Sequence, residues 1–172
     1  MSTQNRTGLS EMWLERLEIS DTVRRYFLAM DEFDWDTAGE HVAETIALDA
    51  GSLADPPRAV CRDEYISALI ARNGGYLTTL HLNADHVVDV DGDTARVRSN
   101  FFGAHGVGPN EVDNYFAYGV YDVELVREEG RWKISGIRVK PTRIHGGLPS
   151  DISARAAARY KENAANWPGT SQ

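Results

Sequence analysis

Residues 77–106 read LTTLHLNADHVVDVDGDTARVRSNFFGAHG. The stretch is rich in residues that suit a pleated surface. It is broken once, at Asp91-Gly92-Asp93, a hairpin signal between two strands. Two segments of the same texture follow, VDNYFAYGVYDVELV over 112–126 and RWKISGIRVKPTRI over 131–144. Glu129-Gly130 supplies the turn between them, and Gly106 to Asn110 is a looser connection. Consecutive strands joined by short turns predict an antiparallel meander.

The chain before this region has helical texture. Ser10 is an N-cap candidate with Glu11 in the first turn. Ile19, Val23, Tyr26, Phe27 and Met30 fall at helical spacing and form one apolar stripe. Asp34 can cap a second short helix over 35–43, and TIALDAG over 45–51 reads as a short strand. Pro56-Pro57 marks a loop, and a further helix over 62–72 stops at Asn73-Gly74-Gly75. After the strands, a polar, Ala-rich helix begins near 150 and WPGTSQ forms a tail. The predicted organisation is a disordered leader over 1–8, one domain over 9–147, and a C-terminal helix and tail over 148–172. Helices followed by a long antiparallel sheet predict the α+β class. A strongly curved, mainly antiparallel sheet with helices across its inner face makes a cone-shaped α+β barrel. Its open end suits a small-molecule substrate.

The chain has 172 residues, a net charge of −8 and a pI near 5.1. That balance argues against a nucleic-acid footprint and against a polybasic membrane patch. The single cysteine, Cys61, allows no intrachain disulfide and fits a reducing compartment. The first residues lack a signal-peptide pattern and no apolar run has the length of a membrane span, so a cytoplasmic protein is expected. Leu80, Leu82 and Ala84 alternate with Thr79, His81 and Asn83. Such a strand has two covered sides, which predicts a homo-oligomer, dimer or trimer, built on the outer sheet face.

Three acids stand in YFLAMDEFDWD, residues 26–36. Asp34 reads as an N-cap and Asp36 as a first-turn acid. Asp31 lies one turn beyond Phe27, on the margin of the apolar stripe. A carboxylate there is partly desolvated and needs a partner. It either caps or salt-bridges near its helix end, or it reaches a histidine. Of His41, His81, His86, His105 and His145, His81 stands within an apolar strand segment. Paired with an acid it has the makings of a general base; alone it reads as a hydrogen-bonded core residue. His86 has the opposite strand parity to His81 and is expected to face the other side. His105 and His145 lie near strand ends that border the mouth of the cone. Metal-ligand spacing, a Gly-rich phosphate loop and a nucleophile elbow are all missing, so no cofactor is expected.

Tyr26, Asp31, Asp34-Trp35, the strand LHLN with His81, the turn DGDTA at 91–95 and the strand GVYDVELVREEGRWKI at 119–134 resemble the SnoaL-like branch of the nuclear-transport-factor-like, or ketosteroid-isomerase-like, superfamily. The resemblance runs from about 14 to 147. Locally the chain is most similar to the scytalone dehydratase and bile-acid dehydratase group, which implies catalytic roles for Tyr26, Asp31 and His81. It also implies that Asn100 stands near the place of a second catalytic histidine, and that Arg143 matches a late-strand arginine. Trp35 reads as core and is a pocket-wall candidate beside those two. The implied function is a cofactor-independent dehydratase or isomerase acting next to a carbonyl on an apolar cyclic or polyketide-type compound. The alternatives are a polyketide cyclase with a lone acid, and a non-catalytic binding or small-subunit protein of the same fold.

Overall fold

The structure, a computed structural model, describes residues 3–48 and 57–163. The elements are α1 (Thr3–Asp31), α2 (Trp35–Glu40), β1 (Val42–Leu48), β2 (Arg58–Cys61), α3 (Arg62–Asn73), β3 (Thr78–Asp91), β4 (Thr94–Gly106), a 3₁₀ turn at Glu111–Asp113, β5 (Asn114–Glu128), β6 (Arg131–Gly146) and α4 (Pro149–Asn163). Helix α1 already includes Thr3, so it takes in most of the expected leader, and Ser10 lies within the helix instead of capping it. The last residues of the expected strand at 45–51, Pro56 of the expected loop, and the tail WPGTSQ lie outside the described residues.

One six-stranded sheet has the order β2-β1-β6-β5-β4-β3. The meander β3–β6 is antiparallel throughout, and among the described residues only β1 against β6 is parallel. The turn after β5 has Glu129 at φ 50° and Gly130 at φ 76°. Two successive positive φ values match the right-handed strand twist, which is why this dipeptide closes a tight hairpin. β1 starts at Val42, earlier than its sequence suggests, because the His41 carbonyl already accepts the Ile134 N–H at 2.8 Å. Pairing with β6 therefore shortens α2. Strand β2, in a stretch to which the sequence assigns no element, pairs with β1 at the sheet edge.

Helix α1 lies across the inner face. Its stripe of Ile19, Val23, Tyr26, Phe27 and Met30 is at most 5% exposed. Each such side chain contributes roughly 1.5–3 kcal/mol relative to exposure. They meet Val97, Phe101, Tyr121, Val123, Leu125 and Ile134 from the sheet, with Trp35 and Tyr65 closing the core. The odd-numbered residues of β4 and β5 thus face α1, and the even-numbered ones face outward.

Strand β3 does not keep one parity. Asp85 has φ 56°, and the β3–β4 register shifts between Ala84 and Val87. One extra residue makes a bulge. Before it Thr79, His81 and Asn83 face α1; after it His86, Val88 and Val90 do. This corrects the expectation that His86 faces away from His81: its Nδ1 is 2.7 Å from the Ser20 hydroxyl on α1.

Helix α4 closes the other side. Ile152 and Ala156 pack on Tyr76, whose hydroxyl lies 3.0 Å from that of Ser153. The approach depends on Gly75, where an added Cβ would stand 1.7 Å from the Ala156 carbonyl oxygen. Backbone cannot yield as a flexible side chain does. Gly75→Ala is therefore expected to destabilise the protein by about 1–3 kcal/mol or more, measured by urea unfolding. An unchanged midpoint would show that α4 does not dock this closely.

Candidate active site

Asp31 is the last residue of α1, and its carboxylate crosses to β3. Oδ2 accepts the backbone N–H of His81 at 2.7 Å, and Oδ1 accepts the Thr79 hydroxyl at 3.0 Å. Oδ1 also lies 2.6 Å from His81 Nδ1. An ionised carboxylate can only accept, so Nδ1 carries a hydrogen, and in the neutral ring Nε2 is then the nitrogen with the lone pair. The imidazole is 7% exposed and the carboxylate 15%. Burial alone would raise the Asp31 carboxyl. The bonds and charge of His81, with help from Thr79, outweigh burial and hold it below its ordinary value.

The His81 ring sits beside Phe27, with centroids 5.8 Å apart, and meets His105 edge-on at 5.1 Å. His105 stacks on Tyr115 at 4.7 Å and meets Tyr76 at 5.0 Å. Its Nδ1 is buried without a hydrogen-bond partner among the described residues. Burial, and then the neighbouring His81, push His105 down to about 3, so it is neutral at ordinary pH. Tyr121 stacks between Phe27 (4.8 Å) and Phe101 (4.4 Å). Its phenol is pushed up by burial and then by the charge of Asp31.

A second polar chain lies further along α1. His86 Nε2 is 2.6 Å from Asn83 Oδ1, an acceptor, so Nε2 donates and Nδ1 accepts from Ser20. Burial, and then Arg24, push this histidine down and favour the neutral ring that the chain requires. His41 caps α2 and lines a cleft with Glu18, Arg25, Trp132 and Lys133. His145 stacks on Phe116 on the outer face.

The sequence-selected residues therefore divide. Asp31 and His81 are brought together. The Tyr26 hydroxyl is buried and lies 2.9 Å from that of Tyr65, so its one hydrogen bond among the described residues goes to a neighbour other than the pair. Trp35 is 3% exposed and belongs to the core. The assignment of Asn100 and Arg143 to the pocket is corrected. Asn100 is exposed, has the outward parity of β4 and donates to Asp85 at 3.1 Å. Arg143 is exposed and stands across from Tyr118, on the outer face of β5. The residue beside His81 is His105, diagonal to it across β3–β4. Ala95, Val97 and Phe101 already mark the odd positions of β4 as inward, and counting on from them reaches His105. Among the described residues no three His, Cys, Asp or Glu side chains are grouped to hold a metal ion, and no helix is long and apolar enough to cross a membrane.

A family model described as a SnoaL-like domain matches residues 11–138. Among solved structures, the Kfla4162 protein of Kribbella flavida is 25% identical, over 83% of this chain and 99% of its own, with a TM-score of 0.73. A Novosphingobium aromaticivorans protein provisionally assigned as a scytalone dehydratase is 21% identical, over 84% and 92% of the two chains, with a TM-score of 0.64. A hexachlorocyclohexane dehydrochlorinase from Novosphingobium barchaimii is 12% identical, over 80% and 93%, with a TM-score of 0.63. The last two likenesses show the fold alone. No curated protein matches the chain.

The depressed histidine gives a pH test. Unfolded, His105 takes a proton near its ordinary 6.5; folded, only near 3. The unfolded state binds more protons across that window, so stability falls as pH drops through it. Asp31, also depressed, adds to the loss at the acid end. Thermal unfolding of the native chain should drop by several degrees more between pH 7 and pH 4.5 than that of His105→Phe, which keeps the stacking ring. Parallel slopes would mean that His105 is not held neutral. The variant keeps some slope, because His41 and His86 are depressed as well.

Proposed function

The chain belongs to the SnoaL-like domain family, which has the nuclear-transport-factor-like cone fold, and on that premise we propose that it is a cofactor-independent lyase or isomerase of the dehydratase type. The observation that carries the reading is the Asp31–His81 contact of 2.6 Å inside the cone. The neighbours of this fold include a provisional dehydratase and a dehydrochlorinase, which supports a lyase- or isomerase-type activity.

The chemistry follows from the hydrogen positions. His81 Nε2 takes the proton from a carbon next to a carbonyl, and the bonding pair moves to form the enolate. Asp31 steadies the imidazolium and keeps its ring in place. Loss of a β-hydroxyl forms the C=C bond, and the proton on Nε2 passes to the departing oxygen, which leaves as water. The same pair returning its proton to another carbon gives isomerisation. No step needs a metal or an organic cofactor. The neutral His105 and the Tyr121 hydroxyl are the donors best suited to the developing oxyanion. Phe27, Tyr115 and Tyr121 give the site aromatic walls that suit an apolar cyclic or polyketide-type substrate. Tyr26, engaged by Tyr65, supports the wall from behind.

Free Cys61 suits a reducing compartment, and we place the reaction in the cytoplasm. The outer face offers Leu80 (42% exposed), Leu82 (54%) and Tyr118 (38%) beside Phe102 and Phe116. A dimer or trimer of this chain would cover them.

A substrate found by thermal-shift screening allows the decisive test. His81→Ala should abolish turnover with the fold intact, and Asp31→Asn should lower the rate by about 10³ or more, since the imidazolium loses its anion. Tyr26→Phe should cost less than about tenfold, and His105→Phe about 10²–10³. If His81→Ala works at the native rate while Asp31→Asn does not, a lone-acid cyclase is the better reading. Native turnover in both variants removes the site altogether.

Sedimentation at micromolar concentration should show a dimer or trimer for the native chain and a monomer for Leu82→Glu. A native monomer would remove the outer face as an interface.

A further inference from the structure

Thr79 and His81 stand two residues apart on β3 and share its inner face. The Asp31 carboxylate spans both. Oδ2 accepts the backbone N–H of His81 at 2.7 Å, whereas Oδ1 meets the His81 ring at 2.6 Å and accepts the Thr79 hydroxyl at 3.0 Å. The hydroxyl is therefore bonded to the same oxygen that holds the imidazole. A β-branched side chain suits a strand, and valine would serve the strand as well. What threonine alone adds at this place is the O–H.

That bond reaches the ring through one atom. A hydrogen bond to an anion stabilises the charged form and spreads its charge. An oxygen already loaded by one donor attracts a cationic second donor less strongly. Against burial, which raises it, the His81 bonds and then the Thr79 hydroxyl hold the Asp31 carboxyl down. The other titratable groups around the ring are uncharged near neutral pH. His105, from β4, meets it edge-on at 5.1 Å and is pushed down to about 3 by burial and then by His81. Tyr121, from β5, stacks on Phe27 beside the ring, and Tyr115 stacks on His105; burial is the first cause that pushes both phenols up. Between about pH 5 and 8, where a histidine ordinarily titrates, the charge in contact with this ring among the described residues is therefore that of Asp31.

Resting on the function proposed above, we propose that Thr79 is a positioning residue whose hydroxyl, by sharing Oδ1 of Asp31 with the His81 ring, tempers the basicity of that ring. A general base works best when its proton affinity matches the working pH. With Oδ1 free for the ring alone, the carboxylate would hold the imidazolium more tightly. The resting ring would then carry a hydrogen on both nitrogens, and Nε2 would have no lone pair with which to take a proton. The threonine thus acts on the reaction through Asp31, without touching the substrate.

Nuclear magnetic resonance of the full chain tests this, following the His81 ring carbon Cε1 through a pH titration. The signal is assigned by its loss in His81→Ala. Thr79→Val, which keeps the shape and removes the donor, should move the midpoint of His81 up by about half a pH unit, roughly threefold in proton affinity. Thr79→Ala, which fits without strain, should move it the same way, and Thr79→Ser, which keeps the hydroxyl, should leave it near the native value. In an Asp31→Asn background Thr79→Val should change nothing, because the hydroxyl acts only through the carboxylate. A midpoint that stays or falls in Thr79→Val and Thr79→Ala would overturn the proposal, as would an equal rise in the Asp31→Asn background. None of these titrations needs a substrate. With one, the acid limb of the rate profile of Thr79→Val should move up with the midpoint, and a limb that stays in place would make the bond a structural one. Native turnover in His81→Ala removes the reaction and leaves the titrations standing; an unmoved midpoint with turnover lost in His81→Ala removes the role of Thr79 alone.

Discussion

The carboxylate of Asp31 ends one helix and ties it to the sheet. It accepts from the His81 ring, the His81 backbone and the Thr79 hydroxyl, all within 3.0 Å. A half-buried anion is costly unless its lone pairs are used, and here three donors from one strand use them. The same contacts fix where α1 ends on the sheet. They also put a hydrogen on Nδ1 of the imidazole and hold the plane of its ring. Helix docking and the orientation of the His81 ring are thus one set of bonds.

The rest of the inner face is arranged around that attachment. Phe27, one turn before Asp31, lies beside the His81 ring and stacks on Tyr121, which stacks on Phe101. These rings keep water from one side of the pair and strengthen its electrostatics. On the other side His105 is held by Tyr76 and Tyr115, and Tyr76 is held by α4 through Ser153 and the close approach at Gly75. A helix remote in sequence thereby sets the wall of the site.

Much of this is written locally in the sequence. The meander is legible because its turns need particular residues, Gly92 and Glu129-Gly130, at positive φ. The α1 stripe is legible because its period matches a helix. What escapes is non-local. Strand β2 is four residues long and becomes a strand only by pairing with β1. The parallel partnership of β1 with β6 joins segments about ninety residues apart. Asp31–His81 could be reached from the stripe's margin and a strand histidine. His105 was within reach by parity, since Val97 and Phe101 share its face, whereas Asn100 does not. Arg143 could not be placed that way, because the β5–β6 register shifts beside Gly119, just before it is reached.

The bulge at Asp85 gives β3 two reading frames. Upstream of it the odd residues, His81 among them, face α1, and downstream the even residues Val88 and Val90 pack into the core. Composition alone cannot maintain both. The count of residues between His81 and Val88 is itself under constraint. Losing one would bring a single frame through the whole strand, turning either the imidazole or the valines toward solvent. Strand length here carries information that substitution by substitution would never reveal.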